Sequence, residues 1–170
     1  TNSPSVPENK NIIIVIPEDP PSFNAVIAYT GYDAMVMKLA LLGMTGIDPD
    51  GNVYAELAAE LPSLDNGEVV QDESAGTMSV TWKMRNDIQW ADGQPVTADD
   101  VIFTYKAITD PNTGSWIPGI DSVDSVEKVD DYSFTVNYNA ISPSYLTLFG
   151  GEQVAIWPAH YCDATQGFSA

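Results

Sequence analysis

The sequence predicts a mixed helix-and-sheet domain, α+β (mixed α/β), and three stretches carry that prediction. Met78, Val80, Trp82 and Met84 alternate with Ser79, Thr81, Lys83 and Arg85. That is the period of a strand with one buried face. Thr97 precedes Ala98-Asp99-Asp100, and Val101, Tyr105 and Ile108 continue as an apolar stripe towards Pro111. A capping residue, acids in the first turn and a helical stripe describe an amphipathic helix. Residues 123–129, an Asp130-Asp131 turn and residues 132–138 read as a hairpin, with Tyr132, Phe134, Val136 and Tyr138 sharing one face. Strands and helices alternate irregularly and no internal repeat interrupts them, which suggests α+β or mixed α/β rather than a barrel or a bundle.

The remaining segments follow in order. Residues 1–10 are polar and proline-rich and read as a linker, so the domain is expected to span 11–170. The β-branched run at 11–16 stops at Pro17 and predicts a buried strand. Pro17-Glu18-Asp19-Pro20-Pro21 cannot join a sheet and predicts a loop. Met35, Leu39 and Leu42 predict a helix from about 31 to 43. Asp48-Pro49-Asp50-Gly51-Asn52 is a tight turn. Residues 55–61 suggest a short helix ended by Pro62, residues 65–76 an exposed polar loop, 143–149 a short helix and 154–157 a last strand.

Composition narrows the function. The chain has 170 residues, and its apolar fraction of 44% suffices for a core. No apolar run approaches the ~20 residues of a membrane span. Twenty-four acids face six bases, a formal net charge of −18. Phosphate contacts need lysine and arginine, so nucleic acid is not an expected partner, nor is anionic lipid. The acids read as a solvated surface, with a field that attracts cationic ligands as the sharper alternative. Cys162 is the single cysteine, so no internal disulfide can form. No basic segment followed by an apolar stretch marks a signal peptide.

No catalytic constellation emerges. His160 is the only histidine, and no Gly-x-Ser-x-Gly elbow accompanies it, which removes a hydrolase triad. His160, Cys162 and Asp163 fall short of the four ligands of a structural zinc site. Asp48, Asp50 and Asn52 resemble a calcium loop only faintly, because Gly51 stands at the fourth position and Ala59 at the twelfth. Asp99 and Asp100 read as helix-start acids rather than a glycosidase pair. No glycine-rich phosphate loop is present. No metal and no cofactor is therefore expected. Trp82 is assigned to the core and Trp90 to the Asp92-Gly93 turn. Trp116, in the polar stretch Asn112-Thr113-Gly114-Ser115, is a candidate ligand contact.

Residues 82–101 carry a resemblance. Trp82-Lys83-Met84-Arg85-Asn86-Asp87-Ile88-Gln89-Trp90-Ala91-Asp92-Gly93-Gln94-Pro95-Val96-Thr97-Ala98-Asp99-Asp100-Val101 resembles the signature of family 5 extracellular solute-binding proteins, the peptide or nickel type. The flanks agree in order: Gly46-Ile47-Asp48-Pro49-Asp50-Gly51, then Asp110-Pro111-Asn112-Thr113, then Pro158-Ala159-His160. Tyr54-Ala55-Glu56 lacks the usual proline, Met84 replaces leucine, and the 65–76 stretch is longer than the family pattern. The motif itself is a folding device: Asp92-Gly93 turns, Pro95 stiffens and Thr97 caps.

The resemblance implies the N-terminal subdomain and part of lobe one of a type II periplasmic-binding-protein-like fold, with the second lobe absent. It implies a non-enzymatic, monomeric protein at the outer face of the membrane or in the periplasm, lipid-anchored when complete. Its partners would be a peptide or other small solute and an ABC permease. The ligand-binding candidates it implies are Glu18 and Asp19, Trp116, and Tyr145 and Glu152. Glu18 or Glu152 would pair with a ligand amino group, and Trp116 or Tyr145 would stack on it. The alternative function is a carbohydrate- or surface-binding module.

Overall fold

The structure, a computed structural model, describes residues 13–20, 30–150 and 153–162. A four-stranded antiparallel sheet organises it. In chain order its strands are β3 (Val69–Asp72), β4 (Thr77–Lys83), β5 (Val123–Asp130) and β6 (Ser133–Tyr138), in spatial order β3-β4-β6-β5. Two short strands, β1 (Thr45–Ile47) and β2 (Val53–Ala55), form a separate hairpin. The helices are α1 (Gly31–Met37), α2 (Ala98–Thr109) and α3 (Tyr145–Leu148).

The alternation in β4 sets the core. Met78, Val80 and Trp82 point to one face, opposite Tyr138, Val136 and Phe134 of β6. That face is covered by α2, through Val101 and Ala107, and by Leu148, Phe149, Val154 and Ile156. The other face carries Ser79, Thr81, Thr135 and Asn137, and the Thr81 and Thr135 hydroxyls lie 3.1 Å apart. Two register shifts in β5, at Val123/Ser125 and Lys128/Asp130, bend that outer strand. The mixed α+β class, the strand around Trp82, the helix after Thr97 and the 123–138 hairpin agree with expectation.

Five expectations need correction. Residues 13–16 form no strand, and Ile13 and Val15 are 86% exposed. β-branched residues become a strand only when a neighbour supplies the ladder, and no described strand pairs with them. Residues 11, 12 and the 1–10 segment lie outside the described residues. The first helix is shorter than expected and ends at Met37. Beyond it the Leu42 and Gly43 carbonyls are taken by Ile156 and Leu57 N–H groups, which requires extended backbone.

Residues 55–61 are not helical. The Glu56 and Ala58 N–H groups donate to Met44 O, and Ala59 N to Lys83 O, so tertiary bonds override the alanine-rich propensity. The 65–76 stretch is not all loop, because Val69–Asp72 pairs with Thr77–Val80. The 154–157 segment joins no ladder. Its Ile156 N donates to Leu42 O, and its Trp157 N donates to the Thr104 hydroxyl at 2.9 Å.

Gly150 shows how tightly α3 docks on β1. A Cβ there would sit 2.7 Å from Thr45 Oγ1 and 3.2 Å from Thr45 O. Thr45 cannot yield easily, since it is 1% exposed and its hydroxyl donates to Leu146 O at 2.7 Å. Gly150→Ala is expected to cost about 1–3 kcal/mol through overpacking. Urea unfolding followed by circular dichroism measures it, and an unchanged midpoint would show that this contact is looser than the geometry says.

Candidate ligand-contact loops

The 92–101 motif is ordered around one buried carboxylate. Asp100 is 3% exposed. Its Oδ2 accepts from Thr97 N at 2.8 Å, the returning half of a capping box, and from Trp90 Nε1 at 3.3 Å. Its Oδ1 accepts from Ala159 N at 2.7 Å. His160, on the same segment as Ala159, lies 2.8 Å from Asp92 Oδ2 and 6.4 Å from the Trp90 ring centre. The Gln94 N–H first, and His160 second, hold the Asp92 carboxyl below the usual carboxylate range. The signature turn, the start of α2 and residues 157–160 are thus tied together. These residues face one another and leave little for a ligand.

The loop after α2 is built differently. Asp110 Oδ1 accepts from Asn112 N and Nδ2 at 2.8 Å, and the Thr113 hydroxyl donates to Asp110 O at 2.8 Å. Thr113 is buried, and Ile117 and Ile120 pack against the core. Gly114 and Gly119 take φ values of +64° and +86°, which only glycine adopts freely. The loop is pinned on both sides, yet Trp116 between the pins is 79% exposed. Next to it, Ser115 Oγ is buried with no hydrogen-bond partner among the described residues.

The other candidates sit as follows. Glu18 and Asp19 are exposed in the loop after residue 16. Tyr145 starts α3, is half-buried, and donates its hydroxyl to Pro62 O at 3.1 Å. Burial raises its phenol above the ordinary value. That hydroxyl's proton already has a structural acceptor, so Tyr145 offers a ligand its ring and an acceptor oxygen, not a donor. Glu152 lies outside the described residues. No hydrogen bond, ion pair or ring contact joins any two of Glu18, Asp19, Trp116 and Tyr145. Among the described residues no three His, Cys, Asp or Glu side chains are grouped to hold a metal ion. Asp163 lies outside those residues.

A pocket of about 230 Å³ between β1, β2 and the end of α1 was not foreseen from sequence. Lys38, Tyr54 and Glu56 line it with Leu41, Leu42 and Ile47. Glu56 accepts from the Tyr54 hydroxyl at 3.1 Å and from Gly43 N at 3.2 Å. The sequence signal was Gly46: the Tyr54 ring lies where any Cβ at that position would go.

Comparison with known proteins decides the family. The model of "Bacterial extracellular solute-binding proteins, family 5 Middle" matches residues 52–161. The chain belongs to this family. Among curated members, the dipeptide-binding protein of Lactococcus lactis subsp. cremoris is 30% identical over 108 residues, 64% of this chain and 18% of that protein. The oligopeptide-binding protein OppA of Bacillus subtilis is 24% identical over 151 residues, covering 79% of this chain and 26% of its own length.

Solved structures share the fold. Listeria monocytogenes OppA bound to peptide superposes with a TM-score of 0.70 at 22% identity, over 86% of this chain and 30% of its own. NikZ from Campylobacter jejuni in complex with Ni(L-His) gives 0.70 at 20% identity, over 90% and 28%. The fold is therefore type II periplasmic-binding-protein-like, and the chain spans about a fifth to a third of its relatives. The two curated relatives are named as binding proteins.

Proposed function

We propose that this chain is the N-terminal portion of lobe one, residues 11–170, of a two-lobe protein that captures a peptide and passes it to an ABC permease. The complete protein then works as a lipid-anchored monomer at the outer face of the cell membrane or in the periplasm. The observation that carries the peptide reading is Trp116. A loop pinned by Asp110, Thr113, Ile117 and Ile120 spends its order on holding an indole in solvent. Such a rigid aromatic offers stacking area at small entropic cost. The curated relatives named for dipeptides and oligopeptides point the same way.

Exposed apolar side chains support the two-lobe part of the reading. Met35, Leu39, Leu42, Ile47 and Tyr54 are each 40–62% exposed on α1, β1, β2 and the segment between. A surface of that kind is expected where a longer protein continues to pack. Glu18, Asp19 and Glu152 then serve as anchors for a peptide amino group, and the Tyr145 ring as packing.

Native mass spectrometry of the full-length protein tests this, with the 170-residue chain as control. A co-purifying peptide on the full-length protein alone is the expected result. Trp116→Ala in that protein should weaken peptide binding about 3–10-fold, the worth of one aromatic contact. A soluble oligosaccharide that binds where peptides do not would replace this reading with a carbohydrate-binding one.

A further inference from the structure

One side chain closes the loop that leads into β3. Asn66 Oδ1 accepts from Ser63 N at 2.9 Å and from Glu68 N at 3.2 Å. Its Nδ2 donates to Leu61 O at 3.1 Å and to Glu68 Oε2 at 3.2 Å. The amide thus uses both its lone pairs and both its N–H groups. Glu68 is 6% exposed, and its Oε1 lies 2.7 Å from Lys83 Nζ. That ion pair is close but lacks hydrogen-bond angles, which leaves Asn66 as the aligned partner of a buried carboxylate. The same stretch fastens β3 at its start: Val69 N donates to Ser63 O at 3.1 Å, and Thr81 N to Glu68 O at 2.8 Å.

Asn66 is followed by Gly67, the only Asn-Gly pair in the chain. Glycine lets its own nitrogen approach the preceding amide, because no Cβ stands in the way. Gly67 N, giving its proton to solvent, can attack Asn66 Cγ; the Cγ–Nδ2 bond then breaks and ammonia leaves. Water opens the cyclic imide at either carbonyl, giving aspartate or isoaspartate. Water is the only co-reactant, and Asn66 is exposed to it. The closed loop opposes this chemistry. Two acceptors hold the leaving nitrogen, and the Gly67 N–H donates to Leu64 O at 3.3 Å. Reaction therefore starts from the opened loop. The product cannot close it again as before. Aspartate has no N–H for Leu61 O or Glu68, and it sets a second negative charge against the buried carboxylate.

We propose that Asn66 is a site of spontaneous deamidation, shielded while its loop is closed, and that its conversion releases the start of β3 from β4. The inference is independent of solute capture at Trp116. It makes the loop a one-way element: each opening risks a product that stays open.

Peptide mapping by mass spectrometry tests it, on the folded chain and on the isolated peptide 61–70, both held in mildly alkaline buffer. The amide-to-acid mass gain at Asn66 is expected in both, at least ~10-fold more slowly in the folded chain, since several hydrogen bonds must open first. Ser63→Ala removes the hydroxyl that accepts from Asn66 N at 3.2 Å and should speed the folded reaction about 2–10-fold. Asn66→Asp supplies the product directly. Hydrogen exchange at the Val69 and Thr81 amides should accelerate in it at least ~10-fold, with β6 amides unchanged. Equal rates in folded chain and peptide, no product in the folded chain, or parental exchange in Asn66→Asp would each overturn the proposal.

Discussion

Asp100→Ala is expected to cost about 3–4 kcal/mol, although it removes only one carboxylate from a chain with many. The reason is its partners. The carboxylate accepts from Thr97 N, Trp90 Nε1 and Ala159 N, on three separate segments. Alanine leaves those donors without an acceptor, and each buried orphan costs about 1–3 kcal/mol before relaxation and entering water recover part of it. Asp100→Asn keeps one oxygen, but its amide presents a donor to the donors on the other side, so an intermediate loss is expected. Asp99 is the control. It is exposed and pairs with Lys128 at 2.8 Å on the surface, where such pairs are worth under ~1 kcal/mol. Urea midpoints for Asp99→Ala and Asp100→Ala should differ severalfold in their displacement. Similar displacements would mean that the junction with Ala159 is not formed in solution. Hydrogen exchange at 157–160 gives a second reading, because it should accelerate in Asp100→Ala and not in Asp99→Ala.

That contrast marks how far the sequence reaches. Thr97 and the acids after it identify a helix start, since capping is local and its spacing is visible in the chain. The difference between Asp99 and Asp100 is not visible, because it depends on Ala159, 59 positions away. Strand β4 could be read because its alternation records one buried face. Strand β3 could not, because Val69 alone of its four residues is buried and an outer strand shows no alternation. The 55–61 segment failed for the opposite reason: its alanines favour helix, and a backbone slot between Met44 and Lys83 claims it instead. The polar neighbours of Trp116 mark it as a loop residue, and its side chain is 79% exposed.

The core makes the sharpest pair of predictions at Trp82. Its ring is fully buried, stacks on Phe134 with centres 6.4 Å apart and planes 13° from parallel, and Phe134 meets Phe149 edge-on. Trp82→Ala should cost about 3–5 kcal/mol by cavity formation, enough to unfold a marginal domain. Trp82→Phe should behave quite differently. The indole Nε1 is buried and has no acceptor among the described residues. Phenylalanine gives up about 1 kcal/mol of packing, but it also removes an unsatisfied donor whose burial costs a similar ~1–3 kcal/mol. The two terms offset, so Trp82→Phe is expected to match the parent within about 1 kcal/mol, or to exceed it. Circular dichroism in urea separates the outcomes without relying on the lost fluorophore. A large loss in Trp82→Phe would show that Nε1 is satisfied in solution, by water or by a shifted carbonyl, and that the indole is held there by its polar edge as well as its area.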